Sequence, residues 1–242
     1  MHYHLITIFP EIFESFLATS LLAKAREKQL IDFSFTNPRD FCTDKQRQVD
    51  DQIYGGGAGL LMKAQPLIDA IREVESRIQN SESRKIDNKK KQEQTKTRNI
   101  KILLLEPSLT VFDQQMAHTL TDEYTDLVLI CGRYEGIDHR VELRCRQQFG
   151  DNFSTISLGQ WVTLGGEAPA MCVIEATARL LDGVIKEPIS RQDESYRPED
   201  GGALIEYPQY TRPEEVEGMR VPDILLSGHH AQIEQRRRGE KK

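Results

Sequence analysis

Several stretches of the chain hold residue types that could do chemistry. Asp50-Asp51-Gln52-Ile53-Tyr54-Gly55-Gly56-Gly57-Ala58-Gly59 sets four glycines in five positions behind two carboxylates. Such backbone turns tightly and lets a ligand approach closely. It is no Walker loop, because no Gly-Lys-Ser/Thr follows, and Met62 spoils a G-x-G-x-x-G count. Paired aspartates suit the N–H donors of a base better than a phosphate. On composition alone the run also reads as a flexible surface loop. Cys131-Gly132-Arg133-Tyr134-Glu135-Gly136-Ile137-Asp138 follows one apolar run, and Ser157 to Glu167, with Gly159, Gly165 and Gly166, follows another. Ligands of open α/β sheets bind beyond the carboxyl ends of strands. Two Gly-rich loops in that position imply one cofactor crevice between them.

The remaining candidates lie near the C-terminus. Arg191-Gln192-Asp193-Glu194-Ser195-Tyr196 reads by itself as a solvated charged loop. Tyr207-Pro208-Gln209-Tyr210-Thr211-Arg212-Pro213, with Arg236-Arg237-Arg238 further on, interleaves aromatic and basic residues. That mixture suits stacking on unpaired bases and contact with phosphate. His229 and His230 diverge on a helix and lack a partner cluster, so no metal ligands are expected there.

Elements that could position these residues are legible in the periodicity. Tyr3 to Phe9 reads as a strand. Pro10 opens a helix to about Lys28, with Ile12, Phe16, Leu17 and Leu21 on its apolar face. Ile31, Phe33 and Phe35 alternate with polar residues as a half-buried strand, ended by Asn37-Pro38. A polar loop then reaches Gly59. Leu67, Ile68, Ile71, Val74 and Ile78 mark an amphipathic helix. Residues 79–99 are almost devoid of apolar side chains and read as a mobile basic insertion. Ile100–Leu105 and Leu127–Cys131 are continuous apolar runs, as strands covered on both faces require. Val111, Phe112, Met116 and Leu120 lie at helical spacing between them. A strand at Phe153–Ser157 and a helix at Ala168–Leu181 complete an α/β pattern with a mainly parallel sheet. The expected division is a domain over 1–185, a linker over 186–202 and a short C-terminal domain over 203–242, with Ser227 capping a last helix.

Composition bounds the partners. The chain has 242 residues, 38% hydrophobic and 29% charged, with net charge −6. A globally basic nucleic-acid binder is excluded, but the local basic patches at 84–101 and 236–242 are not. No apolar run nears the ~20 residues of a membrane helix, and no signal peptide is evident, so a cytoplasmic protein is expected. Cys42, Cys131, Cys145 and Cys172 form no C-x-x-C pair and read as buried free thiols.

Taken together, the motifs resemble bacterial tRNA (guanine-N1)-methyltransferases of the SPOUT superfamily. The resemblance rests on Val49 to Gly59, Cys131 to Asp138, Gly165 to Ala170, Tyr207 to Pro213 and Leu225 to His230, in that order. Ile6, Phe9-Pro10-Glu11 and Pro38-Arg39-Asp40-Phe41 fit as well. It spans nearly the whole chain except 79–99. It implies a sheet with a deep trefoil knot, a small helical C-terminal domain, here cut short, and a homodimer with a composite active site. It further implies S-adenosyl-L-methionine as methyl donor, magnesium assistance, and tRNA methylated at N1 of guanosine 37, next to the anticodon. Alternatives are another SPOUT RNA methyltransferase or a catalytically silent RNA-binding relative.

Residue by residue, the resemblance places the general base at Glu194 or its neighbour Asp193, and an O6-stabilising arginine at Arg179. It places cofactor contacts at Pro107, Gly132, Tyr134, Glu135, Leu158, Gly159, Thr163, Gly165 and Gly166. Asp50, Gly59 and Glu206 fall at the substrate. Two loops depart from the family pattern. Glu106-Pro107-Ser108-Leu109 stands where Ser-Pro-x-Gly is common, so Leu109 is expected to crowd the adenosine. Gln160, Trp161, Thr163 and Leu164 alter the other loop.

Overall fold

The computed structural model describes residues 1–87, 98–186, 194–197, 201 and 205–240, and of 81–87 the backbone alone. The chain divides into two compact units, Met1–Lys186 and Glu187–Lys242. The first is built on five strands: β1 (His2–Ile6), β2 (Asp32–Thr36), β5 (Ile100–Leu105), β6 (Asp126–Cys131) and β7 (Phe153–Ile156). They run parallel in the order β2-β1-β6-β5-β7. A separate antiparallel hairpin pairs β3 (Asp50–Gln52) with β4 (Leu60–Met62). Among the described residues, its helices are α1 (Glu14–Leu17), α2 (Ser20–Glu27), α3 (Ala64–Asp87), α4 (Gln114–Glu123), α5 (Arg140–Phe149) and α6 (Glu167–Ala178).

The apolar strands are continuous because both faces are covered. Tyr3, Leu5, Leu103, Leu127 and Leu129 pack with Phe13, Leu22, Leu120, Val173 and Ile174 on one side. Ile6, Ile102, Leu104, Val128 and Ile130 pack with Leu67, Ile71, Val74 and Val141 on the other. α6 is tied across the first face by a hydrogen bond of 2.9 Å between the Tyr3 hydroxyl and Thr177 Oγ1.

The structure corrects several expectations. The helix from Pro10 is broken into a 3-10 turn at Pro10–Phe13, then α1 and α2, with Ser20 at φ 51° after the break. The break rotates the apolar stripe: Phe13, Leu17, Leu22 and Ala25 are buried, whereas Ile12 and Leu21 are exposed. Phe35 is exposed too, so β2 does not alternate cleanly. The polar loop before Gly59 contains β3, which pairs with β4 through backbone and leaves little apolar signature. Residues 79–87, assigned to the insertion, continue α3, while 88–97 lie outside the described residues. α4 starts after Asp113, whose side chain accepts from Met116 N–H, so Val111 and Phe112 precede the helix. α5 carried no expectation. Cys131 and Cys145 are buried, but Cys172 is exposed.

The second unit holds the two-residue strands β8 (Glu215–Val216) and β9 (Met219–Arg220), then α7 (Asp223–Leu226) and α8 (His230–Glu240). The Ser227 hydroxyl accepts from His229 N–H at 3.2 Å, just ahead of α8. No described helix is long and apolar enough to cross a membrane.

The rotated stripe has a measurable consequence. Truncating the fully buried Phe13 to Ala should cost about 3–5 kcal/mol. Truncating Ile12, 39% exposed, should cost less than about 1 kcal/mol. Urea unfolding of the two variants measures both, and equal losses would return Ile12 to the core.

Candidate active site

The C-terminal ends of β5, β6 and β7 carry three loops that fasten to one another. After β5, the Ser108 hydroxyl donates to Thr155 O, and the Ser157 hydroxyl donates back to Ser108 O. Ser157 N–H donates to Thr110 O, and Phe112 N–H donates to Ser157 O. These bonds join the loops after β5 and β7. The loop after β7 then reaches β6, where Gly166 N–H donates to Gly132 O at 2.9 Å. That contact requires glycine. A Cβ on residue 166 would lie 2.7 Å from Cys131 Cα and 3.0 Å from Gly132 N, both backbone atoms.

A buried carboxylate holds the junction. Glu167, 1% exposed at the start of α6, accepts from Arg133 Nε at 2.8 Å and from the Thr7 hydroxyl at 2.8 Å. The positive end of the helix dipole favours a carboxylate there. Arg133 also donates to Leu164 O and lies over the Phe9 ring. One ion pair therefore connects the loop after β6, the loop after β7, the first turn of α6 and the end of β1.

Between the loops is a crevice of about 670 Å³, counting its solvent-open mouth. Of the expected cofactor residues, Pro107, Gly132, Tyr134 and Glu135 line it. Leu158, Thr163, Gly165 and Gly166 line it as well. Gly159 does not, and sits against the Trp161 indole. Leu109 is fully exposed and is not part of the lining, which corrects the expected crowding.

The hairpin β3–β4 fastens to the loop after β6 that lines the crevice. Met62 N–H donates to Gly136 O, Glu135 N–H to Leu60 O and Asp138 N–H to Met62 O, each at 3.0 Å. This pairing seats Gly59 against Glu135. Gly59 has φ +84°, and a Cβ there would overlap the Glu135 side chain. Asp50 is buried, and its carboxylate accepts from the Tyr134 hydroxyl. Burial, then that hydrogen bond and the charge of Asp50, push the Tyr134 phenol above its usual value. Arg39 Nη2 donates to the same hydroxyl at 3.4 Å. Two of the three expected substrate residues, Asp50 and Gly59, thus stand against crevice-lining residues expected to bind cofactor.

The other site residues lie elsewhere. Arg179 caps the C-terminal end of α6, beside Leu22 and Val184. The 12 residues of α6 rise about 18 Å from the crevice end. Glu194 and Glu206 belong to the second unit, where Glu206 N–H donates to the Ser195 hydroxyl at 3.1 Å. That bond holds the residue after Glu194 beside Glu206. Asp193 lies outside the described residues. In the same unit Arg237 stacks over the Tyr207 ring at 4.9 Å.

A family model described as tRNA (Guanine-1)-methyltransferase TrmD matches residues 1–242. The chain belongs to this family. A tRNA (guanine-N(1)-)-methyltransferase of Dictyoglomus turgidum is 41% identical over 236 residues, covering 98% of this chain and 83% of the relative. One from Caldanaerobacter subterraneus subsp. tengcongensis is 42% identical over 238 residues, covering 98% and 86%. One from Streptococcus pneumoniae is 40% identical over 235 residues, covering 97% and 84%.

Within this family member, reasoning from sequence assigned no role to Arg133, Glu167, Arg39, Glu106 or Trp161. Arg133 and Glu167 lie inside the Gly-rich motifs, but the second partner of Glu167, Thr7, is 160 residues away in sequence. No local pattern reveals such a bond. Glu106 and Trp161 line the crevice at the departures from the family pattern. Burial, then the charge of Glu142, raises the Glu106 carboxyl above its ordinary 4.5.

Two outcomes are expected. Gly166→Ala should destabilise the protein by about 1–3 kcal/mol, because backbone cannot yield to the new Cβ. Calorimetry should also show cofactor binding weakened, and an unaltered melting point would refute the close approach. Glu106 has a folded pKa above its unfolded one, so its stabilising contribution is complete below about pH 4.5. It is lost as pH rises through the folded value. Glu106→Gln should therefore raise the melting temperature at pH 8, and the gain should vanish near pH 4.5.

Proposed function

We propose that this chain transfers the methyl group of S-adenosyl-L-methionine to N1 of guanosine 37 in tRNA, beside the anticodon. The single observation that carries the reading is the crevice lined by Gly132, Tyr134, Glu135, Gly165 and Gly166, with Gly59 seated against Glu135 and the β3–β4 hairpin bonded to the same loop. It puts the residues assigned to cofactor and to guanine side by side in a member of this methyltransferase family.

The crevice fits the methyl donor. Leu158 and Pro107 offer apolar surface to a purine, and Glu135 is an acceptor for hydroxyl or ammonium donors. The Gly-rich backbone admits a tightly folded ligand. When bound, the cofactor supplies a sulfonium methyl that is already electrophilic. The protein must handle the proton on guanine N1. A linker carboxylate, Glu194 or Asp193, takes it as general base. Arg179 stabilises the negative charge that develops toward O6. Glu206 sits beside Ser195, the residue after Glu194, through its N–H bond to the Ser195 hydroxyl.

The position of Arg179 supports a homodimeric reading. It lies a helix length from the crevice of its own chain. A second copy can supply it to the crevice of the first. The crossing of the loop after β7 past the loop after β5 to reach Gly132 supports the trefoil knot. The stacked Tyr207–Arg237 pair supports a tRNA-contacting role for the second unit. We further propose magnesium assistance and a cytoplasmic site of action, where tRNA resides.

The test uses methyl-labelled S-adenosylmethionine with tRNA transcripts carrying guanosine or adenosine at position 37. Label should appear as N1-methylguanosine only in the guanosine transcript, and label in both would refute the target. Among Glu194→Gln and Asp193→Asn, the variant that removes the base should lower single-turnover rates about 10²–10⁴-fold. The other should stay near wild type. Full activity in both would remove the linker carboxylates from the mechanism.

A further inference from the structure

The end of the sheet opposite the crevice holds a cluster that methyl transfer does not use. His2 and His4 are alternate residues of β1 and so project from one face. In the parallel register His2 lies opposite Asp126 of β6. The imidazole rings stack with centroids 4.1 Å apart. Ligand-capable atoms of His2, His4 and Asp126 all lie within 4.8 Å of one another. His4 and Asp126 are each 1% exposed.

The geometry points to a transition-metal site, Zn²⁺ in the first instance, formed by His2, His4 and Asp126 at the N-terminal ends of β1 and β6. Four observations carry it. His2 Nε2 is buried and has no hydrogen-bond partner. A buried polar atom left so is costly unless something completes it. His4 Nε2 stands 2.9 Å from Asp126 Oδ1, while His4 Nδ1 stands 2.7 Å from the Ser34 hydroxyl. In one tautomer Nε2–H donates to Asp126 Oδ1 and Nδ1 accepts from the Ser34 hydroxyl; in the other Nδ1–H donates to Ser34, and Nε2 and Oδ1 face each other as two acceptors, an arrangement that a cation completes. A hydrogen bond of this kind on the far ring nitrogen fixes the tautomer of a metal-binding histidine. Asp126 Oδ2 accepts from the Thr125 hydroxyl at 2.7 Å, which orients the carboxylate. Asp32 Oδ2 lies 3.8 Å from His2 Nε2 and offers a further oxygen, directly or through water.

Two imidazoles and one carboxylate, with a position left open, are a donor set suited to zinc. Bonds of about 2.0–2.2 Å require the three side chains to close in from a spread of up to 4.8 Å. Arg98 opposes the ion, because its Nη1 donates to the same Asp126 Oδ1 at 3.2 Å. Metal and guanidinium therefore compete for one oxygen. The site is separated from the crevice by the length of β1, roughly 13 Å at about 3.3 Å per residue. It is thus independent of any magnesium used in the reaction.

The test titrates chelator-treated full-length protein with Zn²⁺ by calorimetry and with Co²⁺ by visible absorption. Wild type should bind one equivalent with micromolar affinity or better, and Co²⁺ should show the d–d bands of a nitrogen- and oxygen-ligated ion. His2→Ala, a change at the half-exposed edge of the cluster, should weaken binding at least tenfold. Arg98→Gln should tighten it several-fold by releasing Asp126. Mg²⁺ should not compete at millimolar concentration. Equal zinc affinity in wild type and His2→Ala would place the ion elsewhere, at Cys172 or His229-His230, and overturn the assignment. So would the absence of binding below millimolar zinc, or no tightening in Arg98→Gln.

Discussion

Glu167 is a carboxylate with almost no access to water, and the architecture of the crevice follows from the need to satisfy it. An uncompensated buried charge costs several kcal/mol, and removing one partner of a buried pair typically costs about 3–5 kcal/mol. Arg133 and Thr7 meet that need from two other segments, at 2.8 Å each. Arg133 can do so only if the loop after β6 turns toward α6. Thr7 can do so only if α6 starts above the end of β1. The Gly166–Gly132 hydrogen bond and the close approach to Cys131 then have one solution. The crevice is what remains between loops that these demands have already placed.

Much of the crevice is backbone, which explains why side-chain departures from the family pattern leave it intact. Gly132, Gly165 and Gly166 expose main chain, and their positions are set by the sheet ends and by Glu167. Leu109 turns fully into solvent, so its bulk is not felt inside. Glu106 differs, because it does line the crevice and carries an unfavourable charge there. A carboxylate held above its ordinary pKa by burial and by Glu142 costs stability at neutral pH. The family position with a small hydroxyl would not bear that cost.

Apolar strands, the heart of α3 and the position of the crevice were legible because each leaves a local signal. A strand covered on both faces needs an unbroken apolar run, and β5 and β6 have one. Leu67, Ile71, Val74 and Ile78 repeat at helical spacing and are all buried. Elements held by backbone alone leave no such mark. β3 reads Asp-Asp-Gln and pairs with β4 through main chain, so it passed for loop. The break at Ser20 rotates a helical stripe by changing backbone angles, and composition does not encode that rotation. The site was legible as loops, since Gly-rich motifs after strands are local. Its fastening was not, because Thr7–Glu167 and Asp50–Tyr134 join segments far apart in sequence.

The two ends of the sheet are mechanically linked by register. Burial alone would raise the Asp126 carboxyl, but hydrogen bonds from His4 and Thr125 and the charge of Arg98 outweigh it, so the group is held below its usual value. An ionised carboxylate at the start of β6 thereby grips β1 through His4 and the approach to β5 through Arg98. Parallel strands neither stretch nor slip by half a residue without turning their side chains to the wrong face. Fixing His2 opposite Asp126 therefore fixes Ile6 opposite Ile130 at the far end. Fixing Ile100 opposite Asp126 likewise fixes Leu105 opposite Cys131. Those last residues are where the crevice loops begin. A polar cluster remote from the chemistry thus contributes to the alignment of the strand ends, and the apolar faces between the two ends carry that alignment across the sheet.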